Sequence, residues 1–408
     1  MPILLQINCC NNVYSTGKIV GDIGGLVVKK GWKSYIAYQR DYKESLSEPI
    51  VIGNMVDWCL NGLEQRIFDN TGFGIGSFFS TKKLIKKIEE IKPDIIHLHV
   101  LVGYYLHFKL LFRYLSKLDI PVVWTLHSCW EMTGHCTHFD YEGCYRWKTE
   151  CHDCPLKKDY PQSFLFDRSR KNYRQKKELF TSLKNLHLVA VSKWLGGVVS
   201  ESFFKEKPIH IIFNGIDLKS FRPLENVASL KQQYHLEGKF VALGVSSSWQ
   251  PKKGQYDYYL LAEKLPSDYV IVMIGLSEKQ IKELPKNIIG VKKTTSVEEL
   301  RNYYCLSDVV LNLSYEETFG LTTVEGMACG TPSIVYDRTA SPELVTHETG
   351  FVVKAGDIDG ILRCINIIKE KGKSSYEAAC RNRAVYYYDK DKNFQLYLDL
   401  YDNLLNKE

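Results

Sequence analysis

Short apolar runs rich in β-branched residues recur along the whole chain, separated by longer stretches whose apolar positions return every three or four residues. The first half predicts strands at Ile3–Asn8, Ser34–Tyr38, Ile50–Gly53, Asp94–His99, Pro121–His127, Leu188–Ser192 and His210–Phe213. The second half adds Phe240–Val245, Tyr269–Ile274, Asn287–Val291, Asp308–Leu313, Ser333–Tyr336 and Phe351–Val353. Such strands, alternating with helical segments, imply parallel sheets covered by helices on both faces, so the expected fold is α/β with two doubly wound, Rossmann-like domains. Open α/β sheets bind ligands beyond the carboxyl ends of their strands. The polar residues just past those ends are Asn8, Asn11, His99, His127, Ser192, Asn214, Ser246, Glu317 and Asp337, and if the strand ends face each other the site is an interdomain cleft.

Turn chemistry at Asn214-Gly215-Ile216-Asp217, followed by Phe221-Arg222-Pro223, interrupts the pattern at the midpoint and marks a boundary. The expected division is 1–217, 218–388, and a tail 389–408 whose helix, Phe394–Leu405, follows a polar stretch. With 408 residues the chain suits two domains, and 45% hydrophobic content is enough for two cores. No run approaches the ~18 apolar residues of a membrane span, and the first residues lack a signal-peptide pattern, which predicts a cytosolic protein. The net charge of +6 is uneven. Lys82, Lys83, Lys86 and Lys87 crowd one predicted helix, and Arg168, Arg170, Lys171, Arg174, Lys176 and Lys177 another. Either run could be a solvated face or meet an anionic membrane surface or lipid diphosphate. Nucleic acid is disfavoured, since no aromatic and basic interleaving occurs.

The segment Tyr315 to Pro332 reads YEETFGLTTVEGMACGTP. It predicts a loop holding Glu317 and a helix, Leu321–Ala328, holding Glu325, stopped by Gly330 and Pro332. The first N–H groups of such a helix lack intrahelical partners and suit an anionic ligand such as a diphosphate. As a bare spacing, the two carboxylates could equally be solvated, capping or paired. With its flanking residues the segment resembles the EGFGL…EA.A.G.P signature of family 4 retaining glycosyltransferases of the GT-B fold. The turn at Asn214 resembles the family's NGVD…F.P segment between its two halves, and a C-terminal tail that crosses back to the first domain is common in GT-B proteins. The resemblance extends over nearly the whole chain and is similar in kind to bacterial transferases building capsular, exopolysaccharide or O-antigen (lipopolysaccharide) units.

The resemblance assigns Glu317 to the donor sugar and Glu325 to the ribose hydroxyls. Ionised carboxylates only accept hydrogen bonds and so suit hydroxyl-rich ligands. It places the N–H groups of Phe319, Gly320 and Leu321 and the Thr322 hydroxyl beside sugar and phosphate. Lys253, directly before Gly254, matches the family lysine that neutralises the donor diphosphate. The family arginine nearby is absent, and Ser246 to Ser248 occupy its region, so either Lys252 or hydroxyls and backbone N–H groups compensate. His127 resembles the family's T.H histidine near the reacting sugar, acting as an electrostatic and hydrogen-bonding group. His97 and His99 resemble another family segment, with His97 expected to pack. Gly17 could let backbone approach a ligand, with Ser15 or Thr16 as an ordinary helix cap being the alternative.

Cys136, Cys144, Cys151 and Cys154 fall in a long connection spanning 129–160. They read either as a structural zinc site or as uncoordinated thiols. The Asp-x-Asp pairs at Asp357 and Asp389 do not resemble a catalytic metal clamp, and no catalytic metal is expected. The implied reaction moves a sugar from a nucleotide diphosphate sugar to a lipid-linked saccharide with retention, on the inner face of the membrane. A nucleotide-sugar epimerase of the same fold, a glycosidase with two flanking carboxylates, and a non-catalytic sugar-binding protein are the alternatives.

Overall fold

The computed structural model describes residues 1–70 and 72–406. The chain divides into two compact units, Met1–Ile212 together with the chain from Phe394 on, and Phe213–Asn393. All thirteen expected strands form, three with the expected ends and the rest with ends shifted by one or two residues.

In the first unit the strands are β1 (Ile3–Ile7), β2 (Lys33–Tyr38), β3 (Glu48–Val51), β4 (Ile95–Leu98), β5 (Val122–Leu126), β6 (Leu186–Ala190) and β7 (Ile209–Ile211). They lie in the order β3-β2-β1-β4-β5-β6-β7, all parallel. Strands β4, β5 and β6 are buried at every position, which is why apolar residues dominate them on both faces instead of alternating with solvent-facing polar ones. A short parallel pairing of Cys10–Asn11 with Arg40–Tyr42 was not expected.

The second unit holds β8 (Phe240–Val245), β9 (Tyr269–Ile274), β10 (Ile288–Val291), β11 (Val309–Asn312), β12 (Ser333–Tyr336) and β13 (Gly350–Val353). Their order is β10-β9-β8-β11-β12-β13, again all parallel. Each sheet therefore reverses its winding direction beside its first strand, between β1 and β4 and between β8 and β11. The connections diverge there and leave a crevice at the carboxyl ends.

Helix α1 (Tyr14–Lys29) and the Lys390–Leu405 helix supply an apolar cluster of the first unit. Ile19, Ile23 and Val27 meet Phe394, Tyr397, Leu398 and Tyr401 over Leu4, Ile95, Val123 and Val189, which project from four adjacent strands. Tyr401 also satisfies a polar group: its hydroxyl lies 2.6 Å from Nδ1 of fully buried His97, whose Nε2 lies 2.8 Å from the Thr125 hydroxyl. His97 thus packs, as expected. The turn at Asn214 lies against the start of the terminal helix, with Ile216 N–H donating to Tyr388 O and Lys390 N–H to Ile216 O. A Cβ on Gly215 would come within 2.2 Å of Lys390 Cα, so only glycine fits there.

Tyr401→Phe should keep the ring contacts but strand His97, lowering stability by about 1–3 kcal/mol, while Tyr401→Ala should cost about 3–5 kcal/mol. Urea unfolding of the two variants measures both losses, and equal losses would contradict the division between ring packing and hydrogen bond.

Candidate active site

The crevice of the second unit is made by two loops, Ser246–Gly254 after β8 and Leu313–Gly320 after β11. Their approach is enforced by backbone. Gly254 has φ 72° and a Cβ there would sit 2.1 Å from the Leu313 carbonyl oxygen. The Tyr315 N–H donates to Lys252 O at 2.9 Å, tying the loops together. Lys253 then reaches across, its Nζ donating to Glu317 Oε1 at 2.7 Å and to the Glu316 carbonyl at 3.0 Å. The pair is half-buried. Glu317 is held from behind as well, since its N–H donates to the Thr339 hydroxyl at 2.8 Å and its carbonyl accepts from Ala340 N–H at 3.2 Å.

Gly320, at φ 100°, starts the Leu321–Ala328 helix with no side chain capping it. The segment Phe319 to Thr322 therefore forms a helix start whose first N–H groups have no side-chain cap and whose dipole favours an anion. Phe319 anchors it by packing edge-on against Tyr388 at 5.7 Å and beside Phe213 at 6.4 Å. Glu325, one turn into the helix and half-buried, accepts from the Tyr304 hydroxyl at 2.7 Å. That bond orients the carboxylate, whose oxygens can accept from further hydroxyls as well.

The crevice of the first unit gathers Gln6, Asn8, His99 and His127. Gln6 Nε2 donates to the Val20 carbonyl at 3.0 Å, so its Oε1 faces His99 Nε2 at 3.1 Å and can only accept. His99 accordingly carries its proton on Nε2 and offers the Nδ1 lone pair to His127 Nε2, 3.4 Å away. His127 is thereby set as the Nε2–H tautomer, with Nδ1 as its acceptor nitrogen. Burial pushes His127 down to about 4 and holds His97 and His99 well below the ordinary histidine value of 6.5, so the cluster is neutral.

Other expected residues sit differently. Gly17 is buried inside α1, where a Cβ would lie 2.9 Å from Cys10 Sγ, so its smallness serves helix packing; neither Ser15 nor Thr16 caps that helix, whose N-cap is Val13. The Ser246 hydroxyl donates to Ser248 O at 2.9 Å and accepts from Ser248 N–H at 3.3 Å, shaping its own loop. Lys252 Nζ lies 3.9 Å from Oε2 of buried Glu316. Asp357 caps the Ile358–Lys371 helix and Asp359 pairs with Lys264. Tyr304, Thr339 and Gln6 were not singled out beforehand. Only Gln6 carried a signal, as the one polar residue of β1.

The cysteines lie in a connection with only two short 3-10 turns, Trp130–Met132 and Arg146–Lys148. Cys136 and Cys154 share a thiol hydrogen bond, and Cys151 Sγ accepts from Gly134 N–H at 3.2 Å. Among the described residues, however, no three His, Cys, Asp or Glu side chains form a metal-holding group. Buried polar contacts hold the connection. Asp69 pairs with His135 at 2.5 Å and accepts from Arg168 N–H at 2.8 Å, and its carbonyl accepts from Asn172 at 2.6 Å. Lys176 is also buried, donating to the carbonyls of Trp130 and Thr133, while Arg170 and Arg174 pair with Glu150. The basic helix Ser169–Thr181 thus spends much of its charge on its own unit.

Residues 28–220 match the family described as Glycosyltransferase Family 4, and residues 227–384 match Glycosyl transferases group 1. The chain belongs to family 4 of the glycosyltransferases, with the GT-B fold, and is a glycosyltransferase of the polysaccharide-biosynthesis type. It is 25% identical to WcaC of Escherichia coli (strain K12), named for glycosyl transfer in colanic acid biosynthesis, over 76% of this chain and 77% of that one. It is 27% identical to the Escherichia coli UDP-Gal:alpha-D-GlcNAc-diphosphoundecaprenol alpha-1,3-galactosyltransferase over 51% of this chain and 58% of that one. Among solved structures, sucrose-phosphate synthase of Thermosynechococcus elongatus superposes with a TM-score of 0.73 at 16% identity, covering 100% of both chains. Anabaena Alr3699/HepE, solved with UDP and glucose, gives 0.70 at 16% identity, covering 99% and 100%.

The depressed histidines make the first unit sensitive to acid. An unfolded histidine binds its proton near 6.5 but folded His127 only near 4, so in that window the unfolded state holds more protons. Stability is therefore fully present above about 6.5 and lost as pH falls toward 4. Urea midpoints should decline across this window and decline less in His99→Gln; a flat midpoint would contradict the burial of the cluster.

Proposed function

We propose that the protein transfers a hexosyl group from a nucleotide diphosphate sugar to a lipid-linked saccharide, with retention of anomeric configuration, in the synthesis of a bacterial surface polysaccharide. The observation that carries this reading is the Lys253–Glu317 pair at the β8/β11 switch point, beside the helix start at Gly320. There the ammonium and the helix start would hold the diphosphate and stabilise its charge as the glycosidic bond breaks, without a divalent metal. On donor binding Lys253 would exchange Glu317 for phosphate, freeing that carboxylate for sugar hydroxyls. Glu325, oriented by Tyr304, would take the ribose hydroxyls. His127 would act as a hydrogen-bonding group toward the reacting sugar. The donor class is supported by the UDP and UDP-glucose held by the Anabaena structures and by the UDP-Gal named for the Escherichia coli galactosyltransferase. That relative's diphosphoundecaprenol acceptor supports a lipid-linked acceptor here, which in turn calls for peripheral contact with the cytoplasmic face of a membrane.

Nucleotide release across common donor sugars, with membrane lipid extract as acceptor source, tests the assignment. Lys253→Ala and Glu317→Gln should each lower turnover by about 10²-fold or more with the fold intact by circular dichroism. Unchanged turnover in both variants would remove the site from the second unit. Donor incubated alone, yielding an altered nucleotide sugar, would favour an epimerase instead.

A further inference from the structure

Helix α2 (Met55–Phe68) is built inside out. Its residues Val56, Cys59, Leu60, Leu63 and Ile67 recur at the spacing that defines one apolar stripe, a pattern that ordinarily faces a core. Here the opposite face is the buried one. Gln65 is 0% exposed and Asn61 2%, whereas Leu63 is 54% and Val56 63% exposed. The inward polar residues have work inside the first unit: Gln65 donates to Asp69 and to the Pro161 carbonyl, and Asn61 bonds Ser77. The apolar stripe is what remains outside.

The stripe continues into neighbouring segments. Phe68 stacks on Phe166 at 5.9 Å, and the chain at 164–166 is fastened to the end of α2 by Phe164 N–H to Arg66 O at 2.8 Å and Phe166 N–H to Ile67 O at 3.2 Å. Leu165 between them is exposed. On the other side Glu64 accepts from the N–H groups of Ile75 and Gly76, both at 3.1 Å, and so holds Ile75, 80% exposed, next to the helix. Phe79, also exposed, follows at the start of α3 (Phe78–Ile91). An apolar patch assembled from three segments in this way marks an interaction surface.

Charge chooses the occupant. Exposed Lys82, Lys83 and Lys86 follow Phe79 on α3, with Lys82 Nζ 5.5 Å from the Phe78 ring. On α2, Asp57 is turned into its own capping box, Glu64 toward two backbone N–H groups and Asp69 into the interior, and on α3 Glu90 pairs with Lys87, one turn beyond this lysine row. Apolar side chains bordered by lysines match an anionic bilayer, where the former enter the acyl boundary and the latter meet lipid phosphates. A second copy fits less well, since a symmetric contact through this patch would bring equal lysine rows toward each other.

We propose that the exposed stripe of α2, with Ile75, Phe79 and Leu165, docks the protein on an anionic lipid surface, with Lys82, Lys83 and Lys86 contacting headgroups. This deepens the reading of a lipid-linked acceptor and rests on it for its purpose, though not for its test. The full-length protein is floated with phosphatidylcholine vesicles with and without phosphatidylglycerol, in the absence of donor and acceptor. Binding should require phosphatidylglycerol, weaken with salt, and fall roughly tenfold or more in Leu60→Ser/Leu63→Ser and in Lys82→Glu/Lys83→Glu/Lys86→Glu. Donor-dependent nucleotide release in solution reports separately whether each variant is folded and whether the transferase reading holds. Failure of the unaltered protein to bind, or equal binding by the variants, overturns the proposal. So does a concentration-dependent dimer, seen by light scattering, that Leu63→Ser dissolves while vesicles capture nothing. Docking without transfer to any lipid-linked acceptor would leave the surface standing and sink the acceptor assignment.

Discussion

Parallel strands can be joined only by crossovers, and where a sheet is wound in both directions from its first strand, two crossovers must leave from adjacent carboxyl ends on opposite sides. The crevices of both units are placed by that constraint. In the second unit it sets the Ser246–Gly254 and Leu313–Gly320 loops side by side, and Gly254, at φ 72° against the Leu313 carbonyl, lets them close to backbone contact. Lys253 and Glu317, 64 residues apart in sequence, become a 2.7 Å pair as a result. In the first unit the same reversal puts Gln6, His99 and His127 at the ends of β1, β4 and β5, where amide orientation passes through two imidazoles to fix a tautomer.

A second organising group is Asp69. A buried carboxylate must be paired or fully hydrogen-bonded, and this one ties the end of α2 to His135, Arg168 and Gln65. Its partner Gln65 lies on the inward polar face of α2, whose apolar stripe is left outside. One satisfied buried charge thus joins the integrity of the Cys-rich connection to the character of the outer surface. Lys176 acts in the same way from the Ser169–Thr181 helix. Its ammonium, drawn down to about 7 by burial, serves two carbonyls of a connection that has no strand of its own to satisfy them.

The elements were largely legible in the chain because each is a local matter. Fully buried parallel strands are predominantly apolar runs, and the stop at Gly330 and Pro332 bounds the helix of Glu325 at the expected residue. The glutamate pair was legible for a similar reason, since loop, helix start and both carboxylates lie within eighteen consecutive residues. Less visible were the groups that orient them. Tyr304 reaches Glu325 from another helix and Thr339 reaches Glu317 from beyond the next strand, and neither stands in a pattern of its own. The Ser246 hydroxyl, a candidate for phosphate, turned out to close its own loop.

The sequence by itself determined the alternation of strands and helices and the two large parallel sheets, because those features depend on neighbours a few residues away. Only the tertiary structure decided which face of α2 is buried, that Lys176 is a core residue, and which nitrogen of His127 accepts. A helical apolar stripe reads the same whether it meets a core or solvent, and a lysine reads the same whether it meets water or carbonyls. Their fates are set by partners brought together only when the sheet forms and its buried polar groups have to be satisfied.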